Sequence, residues 1–149
     1  MGLVYAEIEI INADDLAFAR RHIIGDEEVK RMPITVLVDT GSYMLAINEE
    51  IQEQMQFPVV ETRKAQMADG SIIECDVVGS VEVRFKNRRT NCRALVLPGS
   101  SDSLFGSIPI QDMDVMIDLK RQELIVNPEH PYFAHTKMKS MFFEEIEMS

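Results

Sequence analysis

Val36-Leu37-Val38-Asp39-Thr40-Gly41-Ser42 decides how this chain is read. An apolar run delivers an aspartate, then a hydroxyl residue, a glycine and a second hydroxyl residue. A carboxylate at the end of a buried strand is costly unless hydrogen bonds satisfy it. Thr40, Gly41 and Ser42 are residue types that can do so, through two hydroxyls and an amide unhindered by a Cβ. A given tripeptide recurs by chance about once in several thousand positions. Asp-Thr-Gly therefore takes its weight from its surroundings, and an ordinary strand-end Asx-turn is the competing account of Asp39.

Those surroundings read as strands. Pro33 opens the strand that delivers Asp39, and Met44 to Ile47 leaves the loop as a short strand. Asn48 is an N-cap, with Glu49 and Glu50 just inside, for a helix running to about Gln56. Pro58 ends it. Val59 to Ala68 and Ser71 to Val78 form a hairpin about Asp69-Gly70, a strong turn dipeptide. Gly79 marks a bulge or a bend. Ser80 to Phe85 alternates, turns at Lys86 to Arg89 and returns as Thr90 to Leu97. Pro98 to Ser103 is a loop, Ile108 to Asp112 a short helix, and strands follow at 114–119 and 123–127.

Upstream, Leu3 to Ile11 alternates apolar and acidic residues, as a half-buried strand does. Asn12 or Ala13 opens a helix through about His22, with Asp14 and Asp15 in its first turn. Gly25 to Glu28 is a loop. Residues 129–149 form a tail with Met138, Met141, Phe142 and Phe143, either disordered or docked through its aromatics. There is no internal repeat. Many short strands with regular turns predict an all-β barrel with two or three short helices.

A chain of 149 residues is most simply one domain, and 46% hydrophobic residues suffice for a real core. The net charge of −10 disfavours nucleic acid, whose phosphates demand a basic face. It disfavours an anionic membrane surface as well. Solubility explains such a charge, and a preference for basic peptides is the alternative. No apolar run approaches the roughly 20 residues of a membrane span. The N-terminus has no basic start, and Glu7 and Glu9 interrupt its apolar residues, so it is no signal peptide. A cytoplasmic location is expected. Cys75 and Cys92 are too few for a disulfide framework and read as reduced strand residues. A turn at 86–89 would place Cys92 near Val83, away from Cys75. His22, His130 and His135 show no ligand spacing, so no metal site is expected.

Taken in order, three elements resemble the single-lobe, retropepsin-like branch of the pepsin-like aspartic proteases. Leu37-Val38-Asp39-Thr40-Gly41-Ser42 is similar to the family's active-site loop. Ala68-Asp69-Gly70-Ser71, between two strands, is similar to its flap. Leu104-Phe105-Gly106 is similar to its apolar-apolar-glycine element, and the hairpin that follows is of the expected kind. The resemblance covers about residues 32–128. It sets them apart as a retropepsin-like closed barrel lobe between a strand-helix extension (1–31) and the tail (129–149).

The resemblance implies an aspartic endopeptidase needing no cofactor. Two carboxylates share one water: the ionised one takes its proton and the protonated one polarises the peptide carbonyl. The chain has one Asp-Thr-Gly, so the second carboxylate would come from another copy in a symmetric homodimer. By resemblance, Asp39 is the catalytic acid or base and Thr40 braces the partner's loop. The Gly41 amide approaches the carboxylate, and Ser42 bonds its outer oxygen. Asp69, Gly70 and Ser71 form the flap tip over a peptide or protein substrate, while Leu104, Phe105 and Gly106 support the loop from beneath. Asp114 and Asp118, by contrast, read as strand-edge or turn residues, with no second Thr-Gly near them.

Several positions depart from the family pattern. Tyr43 follows the loop where many relatives carry a smaller residue, and either reshapes a pocket or blocks it. The flap has one glycine at its tip. Ser107 stands where retroviral enzymes have an arginine that braces the dimer. The extension of residues 1–31 supplies interface strands, caps a sheet edge or covers the face a dimer needs. The alternative function is therefore a catalytically inactive peptide-binding or assembly module of the same fold. A third account makes the tail a contact in a larger complex.

Overall fold

A computed structural model describes residues 2–138. Its strands are β1 (Tyr5–Asn12), β2 (Arg31–Val38), β3 (Leu45–Asn48), β4 (Val59–Gln66), β5 (Ile72–Phe85), β6 (Arg88–Leu97), β7 (Ser103–Phe105), β8 (Val115–Asp118) and β9 (Glu123–Val126). Three short helices interrupt them: α1 (Ala13–Arg20), α2 (Glu49–Met55) and α3 (Ser107–Asp112). The main sheet runs β1-β2-β7-β3-β6-β5-β4, and β1 also pairs with β5. Six strands thus close on themselves into a barrel, the all-β, retropepsin-like lobe that the sequence predicts. Closure pairs the edges of these six, while β4, bonded to β5 alone, hangs off the barrel as an edge strand.

β1 closes the ring. It pairs antiparallel with β2 from Tyr5 opposite Leu37 to Ile11 opposite Arg31. It pairs with β5 from Glu9 opposite Arg84 to Asn12 opposite Val81. Ile8 and Ile10 join Ile34, Val36, Val38, Val81, Val83 and Phe105 in the main core. Ile11 points the other way and packs with Ala19 and Val29 under α1. The period-2 alternation of a strand produces both clusters.

Local signals set the helix ends. Asn12 caps α1 by accepting from the Asp15 amide at 3.2 Å. Its side-chain amide donates to the Met55 carbonyl at 3.0 Å, tying the start of α1 to the end of α2. Asn48 caps α2 by accepting from the Ile51 amide at 2.9 Å. The stretch expected to be helical through His22 ends at Arg20, and His22 turns left-handed with φ 61°.

The β5–β6 connection is tighter than the sequence predicts. It is a two-residue turn, Lys86-Asn87, and Phe85 pairs with Arg88. Lys86 accepts the positive φ of 51° that so short a hairpin needs. The register moves by two residues, so Cys92 lies opposite Val81 instead of Val83. The parity of the faces survives a shift of two. Cys75 lies opposite Arg63, and both thiols are free. The ladder is irregular between Val78 and Val81, which places Gly79 in a bulge. Downstream, Asn87 Nδ2 donates to the Pro131 carbonyl at 2.9 Å and Arg88 donates to that of His130, so the start of the tail lies against this turn. Met138 is exposed. Met141, Phe142 and Phe143 lie outside the described residues.

Candidate active site

Strand alternation buries Ile34, Val36 and Val38. Asp39 comes one residue past the end of β2 and is half-buried. Its amide donates to the Phe105 carbonyl at 3.0 Å, so the loop leaves the barrel pinned to β7. The Ser42 amide returns to the Asp39 carbonyl at 3.1 Å and closes the turn.

Both carboxylate oxygens of Asp39 are held. The Gly41 amide donates to Oδ1 at 2.9 Å. The Ser42 hydroxyl donates to Oδ2 at 3.0 Å. Two hydrogen bonds to a charged acceptor fix the plane of the carboxylate. A Cβ on Gly41 would stand 3.2 Å from Oδ1, at the tight limit of contact. Thr40 is exposed, and its hydroxyl makes no side-chain hydrogen bond among the described residues.

Below the loop lies the Leu104-Phe105-Gly106 segment. Leu37 and Val38 pair in parallel with Leu104 and Phe105. Leu104 also faces Ala46 of β3. Phe105 is fully buried. Gly106 then passes directly under the loop, and the amides of Ser107 and Ile108 donate to the carbonyls of Ser42 and Tyr43 at 2.8 and 3.0 Å. The start of α3 is thereby fastened to the loop's exit.

Asp69, Gly70 and Ser71 form the exposed tip of the β4–β5 hairpin. Gly70 has φ +86°, a value that favours glycine. The Ser71 hydroxyl and amide both donate to Asp69 Oδ1, at 2.6 and 2.9 Å. These bonds, the hydroxyl's first, hold the Asp69 carboxyl below its usual range.

Between the loop and the hairpin lies a cleft of about 430 Å³. Asp39, Gly41 and Ser42 line one side of it, and Arg63 to Ala68 line the other. Leu104 lies in its wall with Ala46, Leu95 and Leu97, so the cleft is largely apolar around one carboxylate. The tip residues Asp69, Gly70 and Ser71 are not part of this wall, and neither are Thr40, Phe105 and Gly106. Of the hairpin, the β4 strand with Met67 and Ala68 faces Asp39.

The family model whose description is aspartyl protease matches residues 24–108. That span is more than half of the chain and holds the Asp39 loop, the hairpin and Leu104-Phe105-Gly106 together. The chain belongs to the aspartyl protease family. A search of curated proteins returns no match. Membership supports peptidase chemistry at the level of the family. Among the described residues no helix is long and apolar enough to cross a membrane.

Residues outside the predicted set also line the cleft of this aspartyl protease. Arg63, Lys64 and Met67 come from β4 and its turn, and Leu95 and Leu97 from β6. Every β4 residue from Val59 to Lys64 is exposed, so β4 lacks the alternation that assigns faces. A second polar cluster forms where α3 ends. Asp114 Oδ2 meets His130 Nδ1 at 2.7 Å and accepts from the His135 amide at 2.9 Å, and its Oδ1 accepts from Asn127 at 3.0 Å. The rings of His130 and His135 stack at 3.6 Å. Irregular spacing and an intervening proline hide that pair in the sequence.

Proposed function

We propose that this protein is an aspartic endopeptidase that works as a homodimer. Asp39 of each copy would face the other across a two-fold axis and share one proton around one water. The ionised carboxylate takes the water's proton as oxygen attacks the peptide carbon. The protonated carboxylate donates its proton to the carbonyl oxygen; on collapse the first carboxyl gives the water's proton to the nitrogen, which leaves as the amine, and the second recovers a proton from the diol as the acid forms. The observation that carries the proposal is the pair of hydrogen bonds on Asp39. They leave it oriented, half-buried and facing a cleft of about 430 Å³.

Remaining parts follow from position. Thr40 is exposed, as a residue bracing a partner's loop would be. Gly41 and Ser42 aim the carboxylate, and Leu104, Phe105 and Gly106 support the loop. The hairpin carrying Asp69, Gly70 and Ser71 acts as a flap that closes over an extended peptide. A cytoplasmic setting, where Cys75 and Cys92 remain thiols, belongs to the same proposal.

One observation favours a second function, the inactive peptide-binding module. The cleft is complete within one chain, whereas the catalytic pair is not. A stable monomer would bind peptides without cutting them.

Incubation with a diverse peptide library from about pH 4 to pH 7.5 separates the two. Cleavage that vanishes in Asp39→Asn and falls steeply on dilution is the expected result. Binding without Asp39-dependent cleavage at any concentration would establish the module instead.

A further inference from the structure

The wall of the cleft facing Asp39 carries cations in a protein whose net charge is −10. Asp39 is the sole acidic residue among those lining the cleft, and Arg63 and Lys64 are its basic ones. Arg63 Nη2 and Arg93 Nη1 reach the same oxygen of Glu61, at 2.6 and 3.3 Å. One carboxylate is thus divided between two guanidinium groups. Lys64 follows on an unbroken stretch of β4, so its side chain points away from the face that Arg63 shares with Ala65 and Met67, which pack against Ala46, Leu95, Leu97 and Leu104.

The geometry of Arg63 points further. Its Nη1 donates to the Met44 thioether at 3.3 Å. A thioether is a weak acceptor, and a carboxylate is a much stronger one for a guanidinium. Met44 follows the Asp39 loop directly and lines the same cleft. A group displacing that weak contact would therefore sit between the flap strand and the catalytic loop. Ala46, Leu95, Leu97 and Leu104 supply the apolar remainder of the space. The overall negative charge does not oppose an acidic ligand at this range. In about 0.1 M salt the screening length is about 10 Å, so nearby cations outweigh distant anions.

We propose that Arg63 makes the cleft selective for peptides that carry a carboxylate side chain next to an apolar one at the bound site. As a statement about cleavage, this rests on the endopeptidase reading above. As a statement about binding, it stands apart from that reading. It runs against the preference for basic peptides that the net charge alone would favour.

The test uses three peptides that differ only in Glu, Gln or Lys beside the apolar residue of a cut sequence. The full chain should cleave the Glu peptide with kcat/KM about fivefold above the Gln peptide, and the Lys peptide least. The advantage should shrink as salt is raised. In Arg63→Gln the ratio of Glu to Gln should fall to near one, in Lys64→Gln it should persist, and Arg63→Glu should turn the order toward Lys. Both positions are exposed strand residues, and circular dichroism checks that the variants fold. Equal cleavage of Glu and Gln peptides by the wild type would overturn the selectivity and leave the endopeptidase standing. A Glu preference that survives Arg63→Gln would overturn the assignment to Arg63. Absence of all cleavage would sink the endopeptidase instead. Fluorescence anisotropy of the same labelled peptides, taken from a sequence the chain binds, would then decide selectivity by the Glu-to-Gln affinity ratio. A ratio of one there overturns the proposal.

Discussion

A Cβ on Gly106 would sit 2.5 Å from the carbonyl oxygen of Met44. The Ser42 carbonyl lies 2.7 Å from the same point and the Met44 amide 2.8 Å. All three are backbone atoms, and the Ser42 carbonyl is held in turn by the Ser107 amide. The backbone of Gly106 is extended, with φ −91°, so space and not conformation is what requires glycine.

Gly106→Ala should therefore displace the Asp39 loop and destabilise the fold by about 1–3 kcal/mol, the usual range for overpacking. Gly70→Ala is the informative comparison. It is strained by φ +86° yet meets nothing within 4 Å, and should cost about 1–2 kcal/mol without disturbing the loop. Chemical denaturation of both variants, with peptide cleavage or binding alongside, checks this. An unchanged site in Gly106→Ala would show that the loop gives way easily.

Ser42→Ala removes one of the two bonds that aim the Asp39 carboxylate. A hydrogen bond to a charged group contributes about 1.5–3 kcal/mol, and the expected loss in kcat/KM is about tenfold or more with the fold intact. Asp39→Asn keeps the shape but cannot take a proton from water, and should lower kcat by at least about 100-fold. Steady-state kinetics on one peptide compares the two. Equal and small losses would mean that Asp39 is not the reacting group.

Much of this fold is legible one residue at a time. Asn12 and Asn48 announce their helices because a cap is a local hydrogen bond, and Asp69-Gly70 announces its turn because the φ requirement is local. The groups that can satisfy Asp39 lie within three residues of it. What stays hidden is long-range. Nothing in Glu9 or Arg84 states that they will face each other and close the barrel. Nor does β4 declare which residues face Asp39, because it is exposed on both faces and has no apolar period. Arg63 reaches the cleft only through the hang of a hairpin whose register is set elsewhere. The tightness of the Lys86-Asn87 turn is equally unannounced, since Arg88 and Arg89 look like turn residues until Arg88 is seen buried beneath the tail.

The two thiols should be unreactive in the native protein. Burial, followed by the nearby charge of Asp112, pushes Cys92 up to about 12. Burial first and Asp76 second raise Cys75 as well. Thiolate is the reacting form, so at pH 8 little is present at either site. A chromogenic disulfide reagent should label neither quickly in buffer and both quickly in denaturant. A fast-reacting thiol in buffer would reveal opening of the β4–β6 sheet.

Asp114 should make stability depend on acid. The His135 amide, then the Asn127 and His130 side chains, outweigh desolvation and lower its carboxyl from 3.8 to about 2. A carboxylate depressed in the folded state adds stability above its unfolded value and loses it as pH falls through its folded one. The increment is therefore full near neutrality, mostly retained at pH 4 and gone below about pH 2. At about 1.4 kcal/mol per unit it amounts to about 2 kcal/mol. Asp114→Asn should unfold at lower denaturant than wild type at pH 7, and the gap should hold to about pH 4 and then close toward pH 2. The same substitution weakens the hold on His130 and His135, so proteolysis should reach residues 129–138 sooner at neutral pH. A gap between the two proteins that stays constant from pH 7 to pH 2 would mean that Asp114 acts through packing and not through its charge.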